Sequence, residues 1–210
     1  MGHKENNNIF VTLGISDDAL RENYDYYATD SKAIDCLLDV MPEIVNQNWK
    51  YLEPCAGEGN LSDRFYELTN IKMDTYDIIS RRSDIIEGNY FNLDFKDKYD
   101  CIITNFPYKE STKNQKGFSD FVVKALKEVK NNGYVISFQK LLQLESAIRY
   151  NKIYSLYPPK KIWVFADRIS CYRNNDQTLK QGAICYCFCV WKKEDNGFTG
   201  PTELDWIKYK

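Results

Sequence analysis

Asn105-Phe106-Pro107-Tyr108 sets an amide, a rigid proline and an aromatic ring side by side, directly after the apolar run 99–104. Upstream, Glu53-Pro54-Cys55-Ala56-Gly57-Glu58-Gly59-Asn60 places two glycines after a strand-like segment and before a helical one. Together the two segments point to chemistry on an amino or amide nitrogen. The glycine loop is suited to a nucleoside cofactor, the tetrapeptide to the nitrogen that reacts. Glycines at such a place let the backbone turn sharply and come close to a ligand. Asp77 closes the next alternating run, 71–76, at about the distance where an acid meets a ribose diol in dinucleotide folds. Each piece alone has a plainer reading: a strand-to-helix turn, an Asn-x-Pro-Tyr turn, a solvated acid. Their order along the chain favours the chemical one. The GxGxxG pattern fails because residue 62 is Ser, and no Gly-Lys-Ser/Thr follows to make a phosphate loop.

Other chemistries are poorly supplied. The chain has one histidine, His3, so zinc sites and histidine bases have little to draw on, and no metal is expected. Of seven cysteines, Cys185, Cys187 and Cys189 alternate and so share one face of a strand, whereas metal ligands need a turn between them. Reduced, buried thiols and a cytoplasmic location are the expectation. Net charge is −2, which does not advertise a nucleic-acid binder. Basic residues are uneven, however: Lys109, Lys113 and Lys116 follow the tetrapeptide, and Arg168, Tyr172 and Arg173 lie in a polar stretch over 167–182. No run of residues is long and apolar enough for a membrane span or a secretory signal, and Asn6 stands where an N-myristoylation motif needs Ser or Thr.

The elements that must position these residues follow from periodicity. Residues 1–25 read as a polar lead-in and 26–210 as a single domain, without a separate target-recognition domain. Thr29 or Asp30 predicts an N-cap for a helix carrying Ala33, Ile34, Leu37, Leu38 and Met41. Strands are expected near 49–54, 71–76, 85–91, 99–104, 134–138, 161–165 and 183–191. Helices are expected around Leu61, Phe65 and Leu68, from Phe118 to Val129 with Asn131-Asn132-Gly133 ending it, and over about 140–156. Alternating strands and helices predict an α/β fold: a doubly wound, mostly parallel, seven-stranded sheet. The last two strands have no helical pattern between them and are expected to form an antiparallel hairpin.

In detail, Glu53-Pro-Cys-Ala-Gly-Glu-Gly-Asn-Leu61 resembles motif I of S-adenosylmethionine-dependent DNA amino-methyltransferases. Asn105-Phe-Pro-Tyr108 resembles their motif IV, which is N-P-P-Y or N-P-P-F in adenine-N6 enzymes. Tyr27-Ala-Thr-Asp30 is similar to motif X, and Gly88-Asn-Tyr-Phe91 to the segment packed on the cofactor adenine. The resemblance spans roughly 25 to 191 and implies a class I, Rossmann-like methyltransferase fold with S-adenosylmethionine as cofactor. It assigns Tyr27, Thr29, Glu53, Pro54, Ala56, Gly57, Gly59, Asp77, Ile78, Asn89, Tyr90 and Asn105 to the cofactor. It gives the Asn105 amide oxygen and the Phe106 carbonyl to the target amine, with Pro107 holding the turn and Tyr108 stacking on a flipped base. Phe106 departs from the family's proline; a carbonyl is retained, but a fixed φ is lost.

The resemblance also implies the acceptor. Asn105 favours adenine, since cytosine-N4 enzymes begin the tetrapeptide with Ser or Asp. The only Pro-Cys, Pro54-Cys55, follows the wrong strand for cytosine-C5 chemistry. DNA is favoured over RNA. Lys109, Lys113 and Lys116 are expected to rim the pocket, and Arg168, Tyr172 and Arg173 to touch nucleic acid. Sequence choice would rest on short loops, a homodimer partner or a separate specificity subunit. Glutamine-amide methylation of a protein and a non-catalytic partner subunit are the rivals.

Overall fold

The computed structural model describes residues 27–208 except 111, 114, 170 and 174–183, with only the backbone described at Tyr27, Tyr172 and Arg173. The lead-in and most of the polar stretch over 167–182 therefore lie outside the described residues.

The described residues open on strand β1 (Tyr27–Thr29) and helix α1 (Lys32–Val40). Asp30 Oδ1 accepts from Lys32 N–H at 3.0 Å, satisfying a donor that the helix start leaves open. Ala33, Ile34, Cys36 and Leu37 form the buried stripe of α1. Strand β2 (Tyr51–Glu53) runs into the glycine loop and helix α2 (Asn60–Thr69). Arg64 grips Asp35 with two hydrogen bonds and so ties α2 to α1. Strands β3 (Asp74–Asp77), β4 (Ile86–Glu87) and β5 (Cys101–Thr104) follow. Helix α3 (Phe118–Glu128) buries Phe118, Val122, Ala125 and Leu126, the expected apolar stripe. Strands β6 (Tyr134–Lys140), β7 (Lys161–Phe165), β8 (Cys171–Arg173), β9 (Tyr186–Lys192) and β10 (Glu203–Ile207) follow among the described residues.

Eight strands form the main sheet, in the order β10-β7-β9-β6-β5-β2-β3-β4. The pairs on either side of β2, the β5–β6 pair and the β3–β4 pair are parallel, while β9 runs antiparallel to both β6 and β7. The central strands β5 and β6 are buried almost throughout, as expected when both faces of a parallel sheet are covered.

The architecture matches the sequence expectation with local corrections. The sheet has an eighth strand, β10, whose residues are exposed apart from Ile207, so its burial signal was too weak to read. A separate two-stranded ribbon joins β1 to β8, with Thr29 opposite Cys171. The strand expected over 85–91 shortens to two residues, because Asn89 caps a tight turn over Tyr90–Asn92 by accepting from Phe91 N–H at 3.0 Å. The helix expected over 140–156 is broken into a 3₁₀ turn (Leu141–Leu144), one α turn (Ala147–Arg149) and a π turn (Tyr150–Tyr154). Ser146 stands between the first two at φ 142°, a left-handed conformation that no continuous helix accepts. Cys187 and Cys189 are fully buried on β9, but Cys185 precedes the strand and is exposed. No helix among the described residues is long and apolar enough to cross a membrane.

Candidate active site

The glycine loop is shaped by backbone conformation. Gly57 (φ 58°) and Gly59 (φ 82°) both adopt the left-handed region, where a side chain is strained. Gly59 precedes α2 and has no side chain with which to cap it. Glu53 substitutes: its Oε2 accepts from Ser62 N–H in the first turn of α2 at 3.1 Å. Arg82 reaches back from the segment after β3, donating to the Glu58 carbonyl at 2.8 Å and bonding Asp63 and Asp84. The loop is thus clamped between the end of β2 and the segment after β3.

Asp77 completes the clamp. Its Oδ2 accepts from Gly57 N–H at 2.7 Å, and its Oδ1 accepts from Ile79 N–H at 3.2 Å. Arg81 Nη1 lies 3.5 Å from the same Oδ1. The carboxylate therefore fixes the loop as well as facing the space beside it. Glu53 is only 2 % exposed, and burial pushes its carboxyl up to about 8 despite the bonds from Ser62; the nearby Asp77 charge pushes the same way. Burial likewise holds the Cys55 thiol well above its usual range.

The tetrapeptide closes the opposite wall at the carboxyl end of β5. Asn105 Nδ2 donates to Thr29 Oγ1 at 2.9 Å, while Asn105 Oδ1 is buried without a hydrogen-bond partner. Phe106 is fully buried, with its ring 5.9 Å from that of Phe121. The Tyr108 hydroxyl is buried and makes no hydrogen bond of normal geometry. Burial drives its acidity far down, with the neighbouring Asn105 side chain opposing. Lys140 Nζ sits 5.0 Å over the Tyr108 ring.

Between these walls lies a cleft lined by Thr29, Glu53, Ala56, Gly57, Asp77, Asn105, Phe106, Pro107 and Tyr108. The sequence singled out all nine. Ala28, Cys55, Asn60, Leu61 and Arg81 line it too. Arg81 was overlooked, although its place one helical turn after Asp77 was a readable signal. Other candidates stand elsewhere. Pro54 is buried at the strand end and Gly59 at the helix start, while Ile78 is exposed. Asn89 caps its turn, and the Tyr90 ring is buried among Phe95 and Phe121 rather than lining the cleft. Lys109, Lys113 and Lys116 are exposed and do not line it; Lys116 Nζ lies 5.7 Å over the Phe91 ring. Arg168 is exposed and donates to Cys185 Sγ at 3.0 Å. Tyr27, Tyr172 and Arg173 are placed by backbone alone, as paired strand residues of the β1–β8 ribbon. Among the described residues no cluster of His, Cys, Asp or Glu is arranged to hold a metal ion.

No family model matches the chain. No curated protein matches it. Solved structures do. A Listeria monocytogenes protein provisionally described as a class I S-adenosylmethionine-dependent methyltransferase superposes with a TM-score of 0.60 at 12 % identity, over 86 % of this chain and 65 % of its own. The modification subunit of a provisionally described type I restriction enzyme from Vibrio vulnificus gives 0.63 at 13 % identity, over 87 % and 47 %. A provisionally described RNA methyltransferase from Pyrococcus horikoshii gives 0.55 at 13 % identity, over 88 % and 96 %. The chain has the class I methyltransferase fold. It spans less than two thirds of the length of the first two of these structures.

Proposed function

We propose that the protein transfers a methyl group from S-adenosylmethionine to the exocyclic N6 amine of adenine, with DNA as the acceptor. The observation that carries this reading is the Asn105 amide oxygen, buried in the cleft wall and without a partner. A buried acceptor left unbonded costs free energy, and an amine hydrogen would satisfy it.

The residues present fit such a cofactor. Gly57 brings bare backbone to the cleft, and Glu53, Asp77 and Thr29 face the same space. When bound, S-adenosylmethionine supplies an electrophilic methyl on sulfur. The chain's own groups then orient the acceptor. An aromatic amine is a poor nucleophile, because its lone pair is delocalised into the ring. Asn105 Oδ1 and the Phe106 carbonyl would accept its two hydrogens and turn the lone pair out of conjugation. As the N–C bond forms and the C–S bond breaks, one amine proton is released to solvent. Tyr108, held neutral by burial, offers a flat surface for the base, and Lys140 must yield one face of that ring or leave the base the other. Catalysis of this kind is positioning plus a preorganised polar pocket. The Vibrio vulnificus neighbour, described as a modification subunit, supports DNA as acceptor.

The test is transfer of labelled methyl from S-adenosylmethionine to unmethylated DNA, total RNA and cell protein in parallel, followed by nucleoside analysis. N6-methyladenine in DNA is the expected product. Label confined to RNA or to glutamine would overturn the acceptor. Asn105→Ala is expected to lower kcat by about 10²-fold or more, the scale for losing a polar group aimed at the reacting atoms, with cofactor Kd kept. Unchanged turnover in that variant would overturn the role of the amide.

A further inference from the structure

We propose that Leu142 is a wedge that enters a DNA duplex as the target adenine leaves it, an inference that rests on the DNA-methylation reading above and deepens it.

An adenine paired and stacked inside a duplex cannot reach the cleft, so it must be turned out, and the gap it leaves is costly until something apolar fills it. The filler must stand beside the pocket, be exposed before DNA arrives and hold its place. Strands β5 and β6 are parallel neighbours and end at the same edge of the sheet, β5 in the tetrapeptide and β6 in the segment 141–154. Lys140, the last residue of β6, lies with Nζ 5.0 Å over the Tyr108 ring. Leu142 comes two residues later and is 64 % exposed. Ile148 and Tyr150 are exposed on the same segment. Apolar side chains gathered in water beside a cleft mark a surface for a partner.

The segment holds Leu142 in place. Arg149 donates from Nε to the Glu145 carbonyl at 3.0 Å, and from Nη2 to the Glu145 and Leu142 carbonyls at 2.5 and 3.4 Å. Its Nη1 bonds Glu110 Oε1, two residues beyond Tyr108, at 3.2 Å, and the same oxygen accepts from the Ser119 hydroxyl at 2.9 Å. One guanidinium thus ties the backbone of Leu142 to the loop that follows the tetrapeptide. Ser146 Oγ accepts from Ile148 N–H at 3.1 Å, while Ser146 itself sits at φ 142°, a strained backbone for a residue with a side chain. Strain of this kind gathers at functional sites. A leucine displayed on a clamped loop suits a wedge: its side chain leaves water on entering the stack, and that gain offsets the cost of unstacking. Lys109, Lys113 and Lys116, exposed after Tyr108, supply charge for the flanking phosphates.

The test compares Leu142→Ala, which removes the wedge, with Leu142→Met, which keeps an apolar side chain of similar size, on native and heat-denatured unmethylated genomic DNA. A denatured strand has little pairing or stacking to break, so a wedge matters only on the duplex. Leu142→Ala is expected to lower kcat/KM on native DNA about tenfold and to leave it within about twofold on denatured DNA, with cofactor Kd unchanged. Leu142→Met is expected to recover most of the loss. Equal rates for Leu142→Ala and wild type on native DNA overturn the proposal and leave the methylation reading standing. An equal loss on both substrates also overturns it, and would make Leu142 a general contact for nucleic acid or for a partner protein. So does a wild type active on denatured DNA alone, since no duplex is then opened. A wild type that labels only RNA or protein defeats the DNA reading itself, and this inference with it. Because Leu142 is exposed, the variants are expected to keep the wild-type denaturation midpoint. Should Leu142→Ala not fold, Leu142→Gln keeps the length, removes the apolar character and is read by the same native-to-denatured ratio.

Discussion

Glu53 serves two demands that conflict. It caps the first turn of α2, where a helix N-terminus favours negative charge, yet it is buried beside Asp77, where burial disfavours that charge. Burial wins, and its carboxyl sits near 8 against an ordinary 4.5. The folded state therefore holds a proton that the unfolded chain releases between those values. Glu53 supports the fold fully below its unfolded pKa, and that support is lost as pH rises toward the folded value. The urea midpoint of the unliganded protein should fall from pH 5 to pH 8 more steeply in the wild type than in Glu53→Gln; parallel pH profiles would contradict the assignment. At this scale the nine cleft residues named from sequence were legible because motif neighbours travel together along the chain. Arg81, four residues after Asp77 and within 3.5 Å of its carboxylate, was missed because a single arginine past a strand end reads first as a solvated charge.

Among the elements, those with strong periodicity were legible and those held by single contacts were not. Helix α3 carries a clean apolar stripe and was read correctly. The segment after β6 carries apolar residues at helical spacing too, but Leu142, Ile148, Tyr150 and Leu156 are exposed. There the apolar residues divide between solvent and core, with Ile153 buried and Leu141, Leu144 and Tyr154 packed against the core, and Arg149 bonds the Glu145 and Leu142 carbonyls and pairs with Glu110. The turn between α3 and β6 shows how tightly an element end is set. A methyl group on Gly133 would come within 2.6 Å of the Asp100 carbonyl and 2.9 Å of the Lys130 carbonyl, both backbone atoms that cannot step aside. Gly133→Ala should therefore cost about 1–3 kcal/mol, the range for overpacking, seen as a lowered denaturation midpoint. An equal midpoint would show that the turn relaxes.

For the molecule as a whole, the mostly parallel sheet and the antiparallel pairing of β7 with β9 were expected from the sequence pattern, while the strand order with β9 between β6 and β7, the exposed edge strand β10 and the β1–β8 ribbon were not. The cleft draws its walls from β1, the β2–α2 loop, the end of β3 and the end of β5, so a ligand there bridges much of the chain. S-adenosylmethionine at about 100-fold above its Kd should stabilise the fold by about 2.7 kcal/mol, which raises Tm by about 5–10 °C in a protein of this size. Absence of any shift at saturating concentrations would argue against the cofactor.

The β1–β8 ribbon has one more consequence. It is three residue pairs long, stands apart from the main sheet, and joins segments far apart in sequence. Contacts of that kind repay their loop-closure entropy late in folding. On refolding from denaturant, the main sheet should form first and the ribbon last. For an interval the molecule would have a complete core and an unfinished cleft, with Thr29 not yet delivered to Asn105.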